Sequence, residues 1–135
     1  MAEVLLRKAF ADRGLDIAVS SAGTGAWDGS PASEGAYLVA LEHGLDLGAH
    51  AARTLTPELV DASDLILTMS AHHRSRVAEL GGTGKVHVLG LFAGRDERPD
   101  VSDPFGGDLA SYRATFAELE ELVGRVVSRV AGSVA

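Results

Sequence analysis

Asp103 has a side chain that could begin a turn or transfer a proton. It stands before Pro104, in a polar loop that runs from residue 90 to residue 107. A carboxylic acid beside a reacting group can donate a proton to a leaving atom and later accept one from water. An aspartate before a proline is also a common way to begin a turn. The pair therefore predicts either a general acid or a turn.

A second segment suited to ligand binding is the glycine-rich loop 21–30, which reads Ser-Ala-Gly-Thr-Gly-Ala-Trp-Asp-Gly-Ser. The spacing of Gly23 and Gly25 is not that of a dinucleotide-binding fingerprint, because no helix follows at the required distance. Trp27 is the only tryptophan of the chain, and a lone tryptophan often anchors a core. Its glycine-rich loop setting weakens this interpretation, so a buried and an exposed position both stay open.

The sequence contains no set of residues at a spacing typical of a metal site. The chain has no cysteine, which excludes a disulfide, a cysteine-ligated zinc or iron–sulfur site and a cysteine nucleophile on these 135 residues. His72 and His73 precede Arg74, but no third ligand stands at a spacing suited to zinc. We expect no metal and no cofactor.

Alternating helix-like and strand-like segments predict an α/β domain with a mostly parallel sheet. Three short apolar segments have the composition of strands: residues 17–20, 65–69 and 85–89. The segment 65–69 is apolar enough to be buried on both faces. Capping residues and apolar residues at helical spacing predict helices that begin near residues 1, 33, 56, 70 and 109. The glutamates of the last helix, Glu118, Glu120 and Glu121, are expected on its solvated face.

Length and composition indicate one globular domain over residues 1–135, of 14.0 kDa. Twelve basic and nineteen acidic side chains give a formal net charge of −7, which argues against a nucleic-acid partner. No apolar segment is long enough to span a membrane, and the charged start does not resemble a signal peptide. We therefore expect a cytoplasmic protein with no membrane partner.

Four motifs occur in the order and spacing of one known family. They are the opening Met-Ala-Glu, the segment from Ser21 to Trp27, the sequence Met-Ser-Ala-His-His-Arg at 69–74, and Asp-Pro-Phe-Gly-Gly at 103–107. Together they resemble the low-molecular-weight protein phosphatase family from Met1 to about Val130. The resemblance implies a flavodoxin-like α/β fold with a four-stranded parallel sheet. It also implies hydrolysis of phosphorylated protein side chains by a cysteine thiolate, activated by a helix N-terminus and an arginine.

The resemblance assigns candidate roles to four residues. Asp103 matches the general acid of the family, and Trp27 matches an aromatic wall of its substrate cleft. Ser21 matches a residue that supports the phosphate-binding loop. Phe105 stands where the tyrosine-phosphate enzymes usually carry tyrosine, and Phe-Gly-Gly resembles the branch that includes protein-arginine phosphatases. The expected partner is a phosphorylated protein, with phosphotyrosine and phosphoarginine both left open.

The sequence departs from the family at its N-terminus. In the family, a strand and a Cys-x5-Arg loop precede Met-Ala-Glu, and that strand lies between the segments matching 17–20 and 65–69. This chain begins at the methionine, so we expect no cysteine-dependent phosphatase activity from these 135 residues alone. The alternative is a non-catalytic module that binds a phosphate or sulfate anion at the start of the first helix. Such a module could also form a homodimer, in which a second copy completes the sheet.

Overall fold

The structure, a computed structural model, describes residues 1–25 and 27–134. Helices and strands alternate over residues 57–92, whereas the two helices before this stretch follow each other with no named strand between them in the described chain. A five-residue π-helical turn, Ala78–Gly82, extends the fourth helix. The elements are α1 (Ala2–Asp12), α2 (Glu34–Glu42), α3 (Pro57–Ala62), β1 (Ile66–Thr68), α4 (Ala71–Val77), β2 (Val86–Val88), α5 (Leu89–Phe92) and α6 (Leu109–Val134).

The strands β1 and β2 form a parallel pair, with Ile66 opposite Val86 and Thr68 opposite Val88. The helix α4 lies between them in sequence, which is the connection that two parallel strands require. The predicted strands at 65–69 and 85–89 are therefore confirmed, although each is shorter than the apolar segment that predicted it. The expectation that 65–69 is buried on both faces is wrong, because Ile66 and Leu67 are only half-buried.

The predicted strand at 17–20 does not form. Its side chains alternate as a strand requires, with Ile17 and Val19 half-buried against the core and Ala18 and Ser20 exposed. Among the described residues, however, no backbone hydrogen bond joins this segment to β1 or to any other strand. A strand needs a hydrogen-bonded neighbour as well as an apolar face. In the described part of the chain the segment is therefore an irregular stretch whose alternate side chains pack on the core.

The core lies where the long helix α6 packs against α1 and α2. Apolar residues of α6 recur every three or four positions, and the side chains of Phe116, Leu122 and Val126 are fully buried. A second, smaller cluster of Val60, Val77 and Val86 joins α3 and α4 to β2. The helical periodicity at 109–130 thus indicates both the last helix and its buried face correctly.

Two helices begin at capping residues that the sequence contains, whereas Ser33 precedes α2 without a side-chain cap hydrogen bond. The Thr56 hydroxyl accepts a hydrogen bond from the Leu59 amide, at 3.2 Å, and begins α3. The Ser70 hydroxyl accepts one from the His73 amide, at 3.3 Å, and begins α4. Within the described ranges, no helix is both long enough and apolar enough to cross a membrane.

One close approach fixes the path of the loop that carries Asp103. Gly90, in α5, lies against the backbone of Pro99, and a Cβ atom at Gly90 would collide with the Pro99 carbonyl group. We expect Gly90→Ala to lower the free energy of unfolding by about 1–3 kcal/mol, because the loop must move away. The measurement is urea unfolding followed by circular dichroism.

Gly124 provides the matched control for this substitution. It lies in α6, and outside its own helix no heavy atom stands within 4 Å of the position that an alanine Cβ would occupy. Gly124→Ala should therefore raise stability by about 1 kcal/mol through helix propensity. Equal stability of the two variants would contradict the close approach.

Candidate functional site

Asp103 begins a tight turn. Its Oδ1 atom accepts a hydrogen bond from the Phe105 amide, at 2.9 Å, and the Gly107 amide donates to the Pro104 carbonyl, at 2.7 Å. Gly106, at the third position of this turn, has a φ of +80°, which glycine adopts without strain. The turn interpretation of Asp-Pro is therefore confirmed. It does not exclude the acid role, because Oδ2 has no hydrogen-bond partner among the described residues and stays available to a ligand.

The segment before Asp103 is attached to the carboxyl end of β1. The Val101 amide donates to the carbonyl of Met69, directly after β1, at 2.7 Å. The Asp100 carboxylate accepts from the Ala71 amide, at 3.1 Å, at the start of α4. Ligands of open α/β sheets bind outside the carboxyl ends of the strands. Asp103 therefore lies near the carboxyl end of β1, where open α/β sheets bind their ligands.

A half-buried ion pair joins the same loop to α6. Arg95 donates from Nη1 to Oε2 of Glu118, at 2.6 Å, and from Nη2 to the Asp100 carbonyl, at 3.2 Å. The two charged side chains are only 19% and 28% exposed. The expectation that Glu118 lies on a solvated face is wrong, because the 95–100 loop folds over that part of α6. No sequence signal points to this pair, since its partners are 23 residues apart in different elements.

Ser21 contacts the first turn of α1. Its hydroxyl donates to Oε1 of Glu3, at 3.0 Å, and its carbonyl accepts from Nε of Arg53, also at 3.0 Å. The glycine-rich loop after Ser21 pairs with the segment before α3, where Gly23 forms a parallel β-bridge with Thr54. Glu3 and Arg53 were missed as site residues. The Met-Ala-Glu motif contains Glu3, but only the fold shows that its carboxylate holds the glycine-rich loop.

The two candidate aromatic residues are both exposed. Trp27 is 83% exposed and Phe105 is 79% exposed. The interpretation of Trp27 as a core anchor is therefore wrong, and an exposed aromatic side chain on a loop is available for binding. Among the described residues, no hydrogen bond or ion pair joins the Asp103 turn to the Ser21 loop.

The histidines of α4 have a local structural contact. Nδ1 of His73 lies 3.0 Å from the Ser70 hydroxyl that caps the helix, and the His72 and His73 rings are 5.7 Å apart. Over residues 1–25 and 27–134, no three metal-ligating side chains gather in one place.

Comparison with known proteins gives one family. The family model for low molecular weight phosphotyrosine protein phosphatase matches residues 1–134. The protein-arginine-phosphatase of Bacillus subtilis (strain 168) is 33% identical over 132 residues, which cover 96% of this chain and 87% of that protein. The chain is thus similar to a phosphatase of protein arginine across almost its entire length.

Solved structures agree with this similarity. A Cys-to-Ser mutant of the YwlE arginine phosphatase, with a phosphorylated active-site serine, superposes with a TM-score of 0.90 at 32% identity, covering 96% of this chain and 86% of that chain. The tyrosine phosphatase Wzb of Escherichia coli K30, in complex with sulphate, gives a TM-score of 0.86 at 25% identity, covering 96% and 87%. The fold is therefore flavodoxin-like α/β, as predicted.

The Arg95–Glu118 pair generates a prediction about the Asp103 loop. Glu118→Ala leaves the half-buried Arg95 charge without its partner, and we expect it to lower the free energy of unfolding by about 1–3 kcal/mol. Hydrogen exchange of the Val101 amide should accelerate, because the loop loses its attachment to α6. Urea unfolding and exchange followed by NMR measure the two effects.

Glu121→Ala is the control, because Glu121 pairs with Arg125 on the exposed surface of the same helix. An exposed pair at this spacing contributes about 0.3–0.5 kcal/mol, and its removal should leave Val101 protected. If both variants behave alike, the ion pair does not hold the loop.

Proposed function

Because the chain belongs to the low molecular weight phosphotyrosine protein phosphatase family, we propose that it forms most of a phosphatase domain that hydrolyses phosphorylated protein side chains. One observation carries this proposal: Asp103, in the Asp-Pro motif, lies beyond the carboxyl end of β1 with one carboxylate oxygen held and the other available. A general acid needs a fixed backbone and a proton-bearing oxygen directed away from its own hydrogen bond.

In the proposed reaction Asp103 first donates a proton and later accepts one. A thiolate forms a bond to phosphorus while the bond from phosphorus to the side-chain oxygen or nitrogen breaks, and Oδ2 of Asp103 donates its proton to that leaving atom. Water then attacks phosphorus, the sulfur–phosphorus bond breaks, and the Asp103 carboxylate accepts the proton of the water. Inorganic phosphate leaves, and both groups return to their initial states.

Three further residues have supporting roles in this proposal. Trp27 and Phe105 present exposed rings that flank the substrate side chain. Ser21 donates to Glu3 at the start of α1, where the family binds phosphate, so it stabilises the approach of the glycine-rich loop to that site. Both phosphotyrosine and phosphoarginine are candidate substrates, since relatives of each kind match the chain.

The nucleophile is not among these 135 residues, because they contain no cysteine. We therefore propose that the chain alone does not turn over phosphotyrosine or phosphoarginine peptides. Phosphate release from both peptides, measured with the purified chain, should equal the protein-free blank. Release that depends on protein concentration would contradict the proposal.

A longer polypeptide tests the acid role of Asp103. It carries an apolar strand, a Cys-x5-Arg loop and Ser-Pro joined to Met1, and it should hydrolyse the phosphopeptides. In this background Asp103→Asn should lower kcat by about 10²–10⁴-fold, because the leaving atom receives no proton. Asp96→Asn, an exposed aspartate in the preceding loop, is the control and should keep full activity. Equal activity of the two variants would remove Asp103 from the mechanism.

The unpaired side of β1 favours a second candidate function, in which the chain is a non-catalytic binding or dimerising module. In the described part of the chain β1 pairs only with β2, and Leu65 beside it is 37% exposed. An unpaired edge of this kind is a template for another strand. A second copy of the chain would complete the sheet, or a phosphate or sulfate anion would bind at the start of α1.

The dimer form of this candidate makes a defined prediction. The Ile66 amide donates to the Lys85 carbonyl, so the Leu67 amide faces away from β2. The chain should therefore have about twice the 14.0 kDa mass in light scattering. Leu67→Pro and Leu67→Lys should each restore the monomer by blocking this edge, whereas Leu67→Val should leave the dimer intact. A monomeric parent chain at all concentrations would contradict it.

A further inference from the structure

A groove opens beside the Asp103 turn. It lies between the start of α2, the turn at 104–107 and the start of α6, and its volume is about 480 Å³. Its apolar surface comes from Leu38 of α2, Leu109 of α6 and the ring of Phe105. The buried ring of Tyr112 closes its floor directly against Gly35. We call this the α2–α6 groove.

The groove carries negative charge and no positive charge. Glu34 and Asp108 are its two charged lining residues, and the described lining contains no lysine, arginine or histidine. Hydrogen bonds from the backbone and hydroxyl of Ser111 hold the pKa of Asp108 below its usual value, so its carboxylate is ionised at neutral pH. Arg113, the nearest basic residue along α6, is bonded to Glu42.

Phe105 makes the groove continuous with the proposed catalytic turn. It stands two residues after Asp103, and its ring is 79% exposed at the rim. In an extended bound peptide, successive residues are spaced about 3.3–3.6 Å apart along the chain. A side chain one or two positions away can therefore enter the groove while the phosphorylated side chain lies beside Asp103.

We propose that the α2–α6 groove binds an arginine side chain that flanks the phosphorylated residue of the protein substrate. This inference rests on the proposed phosphatase function and names the sequence context that the site selects. The aliphatic stem of the arginine packs on Leu38 and Leu109, and its guanidinium lies over the Phe105 ring. The carboxylates of Glu34 and Asp108 pair with the charge.

Peptide binding to the 135-residue chain tests the groove without any catalysis. Two unphosphorylated peptides of equal length, Gly-Arg-Tyr-Arg-Gly and Gly-Gln-Tyr-Gln-Gly, are titrated into the ¹⁵N-labelled chain. The arginine peptide should shift the amides of Gly35, Gly106 and Gly107 with a saturable curve. The glutamine peptide should bind at least about tenfold more weakly, the effect of losing roughly 1.4 kcal/mol of charge and cation–π interaction.

Variants of the lining residues separate the contacts. Phe105→Leu keeps the apolar contact but removes the aromatic face, and should weaken the arginine peptide about threefold to tenfold. Glu34→Gln combined with Asp108→Asn removes both charges and should weaken it by a similar factor, while asparagine retains the cap of α6. Glu58→Gln, at the exposed start of α3, is the control and should leave binding unchanged.

Three outcomes would overturn the inference. They are the absence of saturable shifts at the groove, equal binding of the two peptides, and equal weakening by Glu58→Gln, which would indicate attraction to the overall charge of −7. Shifts of the same amides on concentrating the chain without peptide would identify a second copy as the occupant, and would also overturn it. These binding results do not depend on phosphatase activity, because neither peptide is phosphorylated. Failure of the phosphatase proposal is therefore distinguishable from failure of this inference.

Discussion

The attachment of the 95–101 loop to the carboxyl end of β1 is the constraint on which the candidate site depends. The Val101 amide bonds to the Met69 carbonyl, and the ion pair between Arg95 and Glu118 fastens the same loop to α6. One end of this loop is thereby tied to the sheet and the other to the longest helix. Asp103 follows this doubly held segment, so its backbone position is determined by the core itself.

The fold matches that of a solved phosphatase although only two strands pair in the described chain. Parallel strands are normally buried by neighbours on both edges, but β1 has only β2 beside it in the described chain. The segment 17–20 keeps its apolar face on the core without becoming a strand. The chain as a whole nevertheless superposes well on a solved phosphatase, with a TM-score of 0.90 over 96% of its residues.

Structural and functional interpretations of one residue do not exclude each other here. Asp103 begins a turn, as an aspartate before proline does in many proteins, and the hydrogen bond of that turn is what fixes its second oxygen. Ser21 holds the first turn of α1 through Glu3, which is a structural contact of a residue that we propose to support the phosphate site. Phe105 is presented to solvent by the positive φ of Gly106. In each case a local contact places a side chain for which we propose a chemical role.

The helix α5 (Leu89–Phe92) was missed, because the segment from residue 90 was expected to be a loop. The sequence by itself determined the other helices, the two strands that pair, the caps at Thr56 and Ser70, and the family motifs. These depend on local hydrogen bonds and on periodic apolar residues, which can be read along the chain. The tertiary structure alone decided that 17–20 remains unpaired, that Trp27 is exposed and that Glu118 is half-buried beneath a loop. It alone revealed Glu3, Arg53 and Arg95 as the residues that hold the site. The physical reason is that pairing, burial and ionic contacts between distant segments depend on which surfaces meet in space, and residue spacing carries no record of that.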